Sequence, residues 1–153
     1  MKQRNGCDLG SQRYHGLKDA MFAGSVLVVV AAAVAAWVIR RRPFVVAVDG
    51  TSMAPTLLPG DLLLARAGAT ASTGALVVVE HPARPGYEMV KRVRGSPGER
   101  IGDRRLRDDE YWVTGDNAEE STDSRQFGPL ARSSIRGLVW ARYWPVSRAR
   151  LFG

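Results

Sequence analysis

Ser52 and Lys91 are the two residues of this chain whose types and settings could together act as a nucleophile and its base. Lys91 is the one lysine after residue 39, in a stretch where arginine fills the other permanently cationic positions. Arginine keeps its proton in a protein, whereas a buried lysine can lose it. A site that needs a neutral amine must therefore use lysine. Ser52 lies upstream in Gly50-Thr51-Ser52-Met53-Ala54-Pro55-Thr56-Leu57. Gly50 and Met53 flank it in a turn, and Pro55 limits the backbone just beyond. A turn exposes a hydroxyl to substrate, and a neutral amine within reach could take its proton as attack begins. Both residues also have ordinary readings. Serine commonly occupies turns for local hydrogen bonds, and a strand lysine can snorkel its amine into water. Neither residue alone separates these readings.

A third segment adds polar groups. Gly115-Asp116-Asn117 is followed by Ser121-Thr122-Asp123-Ser124-Arg125 and then Phe127-Gly128-Pro129. It carries acids, a base and several hydroxyls. Such a loop could orient an amine and lock itself through an Asp123–Arg125 ion pair; by composition alone it is a solvated turn. Lys91 lies in the predicted strand Met89–Arg94 beside Met89, Val90 and Val93, where burial would lower its pKa. His81 is another imidazole base by type, but it precedes Pro82 in a predicted loop. The Gly-x-Ser-x-Gly elbow of the α/β-hydrolases is absent, since Ala54 stands two residues after Ser52.

The elements that must position these residues are short strands. Phe44–Val48, Leu62–Ala65, Ala75–Glu80, Met89–Arg94, Tyr111–Thr114 and Leu138–Tyr143 are rich in Val, Leu and aromatic residues. Pro59-Gly60-Asp61, His81-Pro82, Pro85-Gly86, Ser96-Pro97-Gly98 and Gly115-Asp116-Asn117 separate them as turns. This spacing predicts a mainly β fold, a compact antiparallel barrel-like domain over 44–147, rather than βαβ units. Ahead of it, Ala20–Ile39 is apolar except for Gly24 and Ser25 and ends at Arg40-Arg41-Arg42. About 20 helical residues match the ~30 Å hydrocarbon core of a bilayer, which predicts a transmembrane helix over 20–39. The run exceeds a signal-peptide core, and three arginines make a poor cleavage site. Residues 1–19 and 148–153 read as tails. Lys2, Arg4, Arg13 and Lys18 nearly balance Arg40–Arg42, so charge does not orient the span.

With 153 residues and 45% hydrophobic content, the chain has room for one domain plus an appendage. The net charge of +7 suits an anionic membrane surface. Acids lie among the arginines and no nucleic-acid-binding motif stands out, so no nucleic-acid partner is expected. Cys7 is the single cysteine, which excludes an intramolecular disulfide and cysteine metal clusters. No cofactor or metal is implied. The Trp140-Ala141-Arg142-Tyr143-Trp144 run reads either as a core strand with surface arginines or as a surface resting on lipid headgroups.

Taken together, the three polar segments resemble the type I signal peptidases, membrane-anchored Ser/Lys endopeptidases. Ser52-Met53-Ala54-Pro55-Thr56-Leu57 with Pro59-Gly60-Asp61 is similar to the nucleophile box. Val90-Lys91-Arg92-Val93 with Gly95-Ser96-Pro97-Gly98 is similar to the lysine box. Gly115-Asp116-Asn117 with Ser121-x-Asp123-Ser124-Arg125-x-x-Gly128 is similar to the third. The 39-residue separation of Ser52 and Lys91 suits compact members. The resemblance implies that Ser52 attacks the scissile carbonyl and that Lys91 serves as base, then acid. It implies that Ser121 holds the lysine, that Asp123 and Arg125 form a supporting pair, and that Asp116 is a structural acid. Gly50 stands where some members carry a hydroxyl for the oxyanion, leaving the Ser52 amide and other amides or water for that task. Implied partners are precursor proteins with extended cleavage segments and small residues near the cut, together with the lipid bilayer. The implied location is the plasma membrane, single-pass, with the catalytic domain on the extracytoplasmic side. Two other readings stay open: a dedicated maturation protease similar to those of nickel superoxide dismutase, and a non-catalytic membrane-anchored binding domain.

Overall fold

The computed structural model describes residues 43–68 and 70–152, together with the isolated helical residue Ala32. The expected tail 1–19 and membrane helix 20–39 lie, but for Ala32, outside the described residues. Among the described residues no helix is long and apolar enough to cross a membrane.

The strands all lie within the compact unit Arg40–Gly153. They are β1 (Pro43–Ala47), β2 (Leu62–Arg66), β3 (Leu76–Glu80), β4 (Glu88–Gly95), β5 (Arg100–Ile101), β6 (Arg104–Arg105), β7 (Glu110–Thr114), β8 (Leu130–Ala131), β9 (Ile135–Trp144) and β10 (Arg150–Leu151). One short helix, α1 (Ser124–Phe127), precedes β8. The main sheet is antiparallel in the order β1-β2-β9-β3-β4-β7-β8, with β10 pairing to β9. It curls into a half-barrel whose pairing order ends at β1 and β8, so the expected barrel-like sheet does not close.

Curling explains β3. Successive strand residues point to opposite faces, so a strand with one wet face alternates. Leu76, Val77, Val78 and Val79 are instead all buried. Leu76 and Val78 pack with Met53, Leu57, Leu63 and Val139. Val77 and Val79 face a second cluster containing Val93, Tyr111, Val113 and Leu130. A strand covered on both sides needs a continuous apolar run, and this chain supplies one. By contrast β1, an end strand bonded only to β2, alternates between exposed and half-buried.

Each of the six strands expected from sequence overlaps an observed one, and β9 extends the expected Leu138–Tyr143 at both ends. The β5–β6 hairpin, β8 and β10 are ladders of two residues, too short for an alternating pattern. β10 lies within the segment read as a C-terminal tail and pairs Arg150 with Arg142 and Leu151 with Ala141.

Leu63, fully buried in the first cluster, provides a test of this packing. Leu63→Ala should cost about 2–5 kcal/mol in denaturant unfolding, from lost burial and the cavity left behind. Leu151→Ala, at a side chain 73% exposed, should stay within about 0.5 kcal/mol.

Candidate active site

The loop between β1 and β2 carries Ser52. Its base is closed by Val48 N–H to the Asp61 carbonyl (2.9 Å) and Gly60 N–H to the Val48 carbonyl (2.8 Å). Gly60 has φ of 88°, a left-handed conformation that glycine adopts without strain. Inside the loop, Ala54 N–H bonds the Thr51 carbonyl and Leu57 N–H bonds the Met53 carbonyl, both at 2.9 Å. Met53 and Leu57 are buried in the first cluster and anchor the turn from below. Ser52 stays half-buried above them. A Cβ built on Gly50 would meet nothing within 4 Å, so the space beside the turn is open.

Lys91 lies on β4 opposite Val77, on the face it shares with Met89 and Val93. It is 2% exposed. Its Nζ lies 3.0 Å from Ser52 Oγ and 3.1 Å from Ser121 Oγ. The Ser121 hydroxyl donates to Asp123 Oδ2 (2.7 Å) and accepts from Gly115 N–H (3.1 Å). With its proton committed to Asp123, Ser121 can only accept from Lys91. A neutral amine has two N–H donors and one lone pair. One donor is directed to Ser121, which leaves the lone pair available to the Ser52 hydroxyl. Burial lowers the Lys91 pKa; Asp123 pulls it upward and Arg125 opposes that pull.

Asp123 is fully buried and caps α1. Its Oδ1 accepts from Arg125 N–H (3.1 Å) and Nε (2.9 Å), and its Oδ2 from Arg125 Nη2 (2.8 Å) and Gly115 N–H (2.8 Å). Gln126 completes a capping box by accepting from the Asp123 N–H. Burial alone would raise the Asp123 pKa, but bonds from Arg125, Gly115 and Ser121 outweigh it and hold the carboxyl far below its usual range. Asp116 receives two bonds from Arg92, at 2.8 and 2.6 Å, with Arg94 3.8 Å away. For Asp116 too, burial pushes the pKa up, and Arg92 together with the Thr56 hydroxyl brings it below the usual value.

The Ser52 and Ser121 loops touch through backbone. Asn117 N–H bonds the Ser52 carbonyl (3.0 Å), and the Thr51 hydroxyl donates to Glu120. Gly115 sits between them: a Cβ there would lie 2.3 Å from Ser121 Oγ and 2.4 Å from the Ser52 carbonyl. Only glycine fits this approach. A cleft of about 390 Å³ opens over the pair, lined by residues 46–53 from β1 and its loop, 89–91 of β4, and His81, Arg84 and Tyr87 of the β3–β4 turn. His81 turns its ring edge to Phe127, 5.6 Å between centroids, while its Nδ1 accepts from Ala83 N–H (3.1 Å). Among the described residues no three His, Cys, Asp or Glu side chains group as metal ligands.

The structure thus brings Ser52, Lys91, Ser121, Asp123 and Arg125 into one hydrogen-bonded chain and seats Asp116 beside it. Ordered motifs spanning the chain have converged on one cleft. The model of the family described as signal peptidase, peptidase S26, matches residues 20–105 and 101–144. The chain belongs to the signal peptidase family. A mitochondrial inner membrane protease subunit 1 from Xenopus tropicalis is 34% identical, over 67% of this chain and 70% of the relative. A mitochondrial ATP-independent inner membrane protease subunit 1a from Arabidopsis thaliana is 38% identical, over 64% and 68%. A mitochondrial inner membrane protease subunit 2 from Danio rerio is 31% identical, over 78% and 74%.

Several site residues had no role in the sequence reading. Arg92 appears there only as a neighbour of Lys91, yet it holds Asp116. Gly115 appears as a turn former, although it is required by the approach of two loops. Thr56 and Asp61 appear as motif letters alone. In a signal peptidase family member, Gly115→Ala should displace the Ser52 loop from Lys91. A displacement near 1 Å can cost about 100-fold in rate, so precursor cleavage should fall by that order. Unchanged cleavage would show that the contact does not set the site.

Proposed function

We propose that this chain is a membrane-bound serine endopeptidase that cleaves signal peptides from secretory precursors through a Ser52/Lys91 dyad. The observation that carries this reading is a buried lysine amine 3.0 Å from a serine hydroxyl on a cleft. Lys91, neutral in its apolar setting, takes the Ser52 proton as Oγ attacks the scissile carbonyl. The resulting ammonium protonates the leaving amine, and an acyl-Ser52 ester remains. Lys91, neutral again, takes a proton from the water that attacks the ester, and returns it to Ser52 Oγ as the acyl–oxygen bond breaks and the acid product leaves. The Ser52 backbone amide is the donor offered to the developing oxyanion; one such donor is worth about 3 kcal/mol. Ser121 orients the amine, Asp123 and Arg125 hold Ser121, and Asp116 with Arg92 supports the loop, while Gly50, Met53 and Pro55 shape the nucleophile turn.

The substrate enters as an extended segment along the β1 and β4 sides of the cleft, using main-chain hydrogen bonds and small side chains near the cut. In this reading residues 20–39 serve as the membrane anchor that their apolar run predicts and 44–147 as the peptidase domain, working on the extracytoplasmic side of the cell membrane. The relatives' names support a membrane location and work as one subunit of a protease; the second reading is a dedicated maturation protease for one precursor. Mapping new N-termini in cells with and without the chain separates the two: many accumulated precursors fit the general peptidase, one or a few the dedicated protease. No accumulated precursor, with a captured partner instead, would favour a binding domain.

Ser52→Ala and Lys91→Ala should each lower cleavage by about 10,000-fold or more with the fold retained. Lys91→Arg should be as inactive, because the requirement is a removable proton; normal cleavage by this variant would end the base assignment. Ser121→Ala should retain partial activity, about 10- to 100-fold below wild type.

The pH profile follows from the lowered Lys91 pKa. The active form is the neutral amine, so kcat/KM should rise with pH through the Lys91 pKa and level off above it. The midpoint should lie below the ordinary lysine value of 10.5. A rise centred at or above that value would contradict a desolvated base.

A further inference from the structure

Asp61 closes the Ser52 loop and is 1% exposed. Its carboxylate takes three donors. Leu58 N–H (2.9 Å) and Arg142 Nη1 (3.1 Å) bond Oδ2, and Arg148 Nη1 (3.1 Å) bonds Oδ1. Arg142, also buried, reaches from β9 in two directions. Nη1 donates to the Thr56 carbonyl (2.8 Å) and Nε to the Arg148 carbonyl (2.6 Å). A planar guanidinium with fixed donors sets the distance between the groups it joins. Arg142 therefore spaces the Ser52 loop from the turn at Val146–Arg148.

Thr56 is the joint between two charge clusters. Its carbonyl belongs to the Asp61–Arg142–Arg148 cluster. Its hydroxyl helps lower the pKa of Asp116, the carboxylate that Arg92 holds one residue from Lys91. The loop is thus tied on one side to the strand of the base and on the other to the C-terminal turn. That turn is itself fixed: Arg148 N–H bonds the Pro145 carbonyl (2.9 Å), Ala149 N–H the Val146 carbonyl (3.1 Å), and Phe152 N–H the Trp140 carbonyl (2.9 Å). The family match ends at residue 144, so Arg148 lies beyond it.

We propose that Arg142 and Arg148 are positioning residues for Ser52, and that segment 145–152 is a brace that holds the nucleophile loop against Lys91. The proposal deepens the Ser52/Lys91 reading and rests on it. Neither arginine lines the cleft. Each acts through Asp61 and Thr56 on the height of the loop. Losing the brace lowers the fraction of molecules with Ser52 in reach of the amine, so turnover falls while the cleft that binds substrate keeps its walls.

The test uses the full chain in detergent micelles as wild type, Arg148→Ala, Arg148→Lys and Ser52→Ala. The first readout is amide hydrogen exchange, which needs no activity. Arg148→Ala should exchange at least about tenfold faster at Ala54, Leu57 and Leu58, with Val93 on β4 unchanged. The second readout is cleavage of a precursor peptide with alanine at the first and third positions before the cut. There kcat should fall about tenfold with KM within about twofold, and Arg148→Lys should recover both readouts in large part. Unchanged exchange in the loop, a uniform rise that includes β4, or a change in KM alone would overturn the brace. Ser52→Ala separates the two failures. Full cleavage by this variant sinks the Ser/Lys reading and the positioning role with it. Loss of cleavage in Ser52→Ala beside wild-type kcat in Arg148→Ala sinks the brace alone.

Discussion

The buried amine of Lys91 is the constraint around which the domain is organised. Removing an ammonium from water is costly, so an apolar setting drives the group toward its neutral form. A carboxylate nearby would reverse that effect by attracting the proton back. Asp123 is such a carboxylate, and the fold answers it with Arg125, which takes bonds on both of its oxygens. Asp123 and Arg125 then act on Lys91 in opposite senses, and desolvation remains the dominant influence. Ser121 transmits the geometry without the charge, because its O–H donates to Asp123 and it offers only lone pairs to the amine. The polar cluster can therefore orient Lys91 without cancelling the downward shift that burial gives its pKa.

Such an arrangement demands that three distant segments meet within hydrogen-bond reach. Antiparallel pairing supplies the first approach by setting β4 beside β7, with Arg92 opposite Thr114 at the entrance to the Gly115 loop. Backbone contact supplies the second. Gly115 lets the Ser52 carbonyl and the Ser121 side chain occupy space that any other residue would fill. The open side of the half-barrel does the rest. β1 bonds only β2, and its end and the Ser52 loop line one cleft together with residues 88–91 of β4.

Much of this was legible in the sequence, and what was not has a physical cause. Strands with five or more residues carried a hydrophobic pattern, so β1, β2, β3, β4, β7 and β9 could be read. Two-residue ladders such as β8 and β10 are fixed by their partners and have no pattern of their own. The meeting of Ser52, Lys91 and Ser121 was legible only because three ordered motifs resemble a known family; residue types alone left a solvent-facing lysine equally open. The Asp61 cluster was illegible. Its ion pairs join residues 81 and 87 positions apart, and no local spacing records a contact across the sheet. The Trp140–Trp144 run was read as core strand or lipid-facing surface. The structure divides it: Ala141 and Arg142 are buried, while Trp140, Tyr143 and Trp144 are exposed.

The arginine-rich composition has a consistent division of labour with the single lysine of the domain. Lys91 and Arg92 are neighbours in sequence, but strand alternation sends them to opposite faces of β4. Arg92 finds Asp116 and keeps its charge; Lys91 shares a face with Met89 and Val93, and burial there lowers its pKa. Arg125 and Arg142 likewise bond buried carboxylates, Asp123 and Asp61. A permanently charged planar group is well suited to that task, since its pairing does not vary with pH. Under the proposed Ser52/Lys91 dyad, the same permanence would be a fault at position 91, where the base must take a proton and give it back. Structural ion pairs here use arginine, and buried position 91 carries the one cationic side chain of the domain that can release its proton.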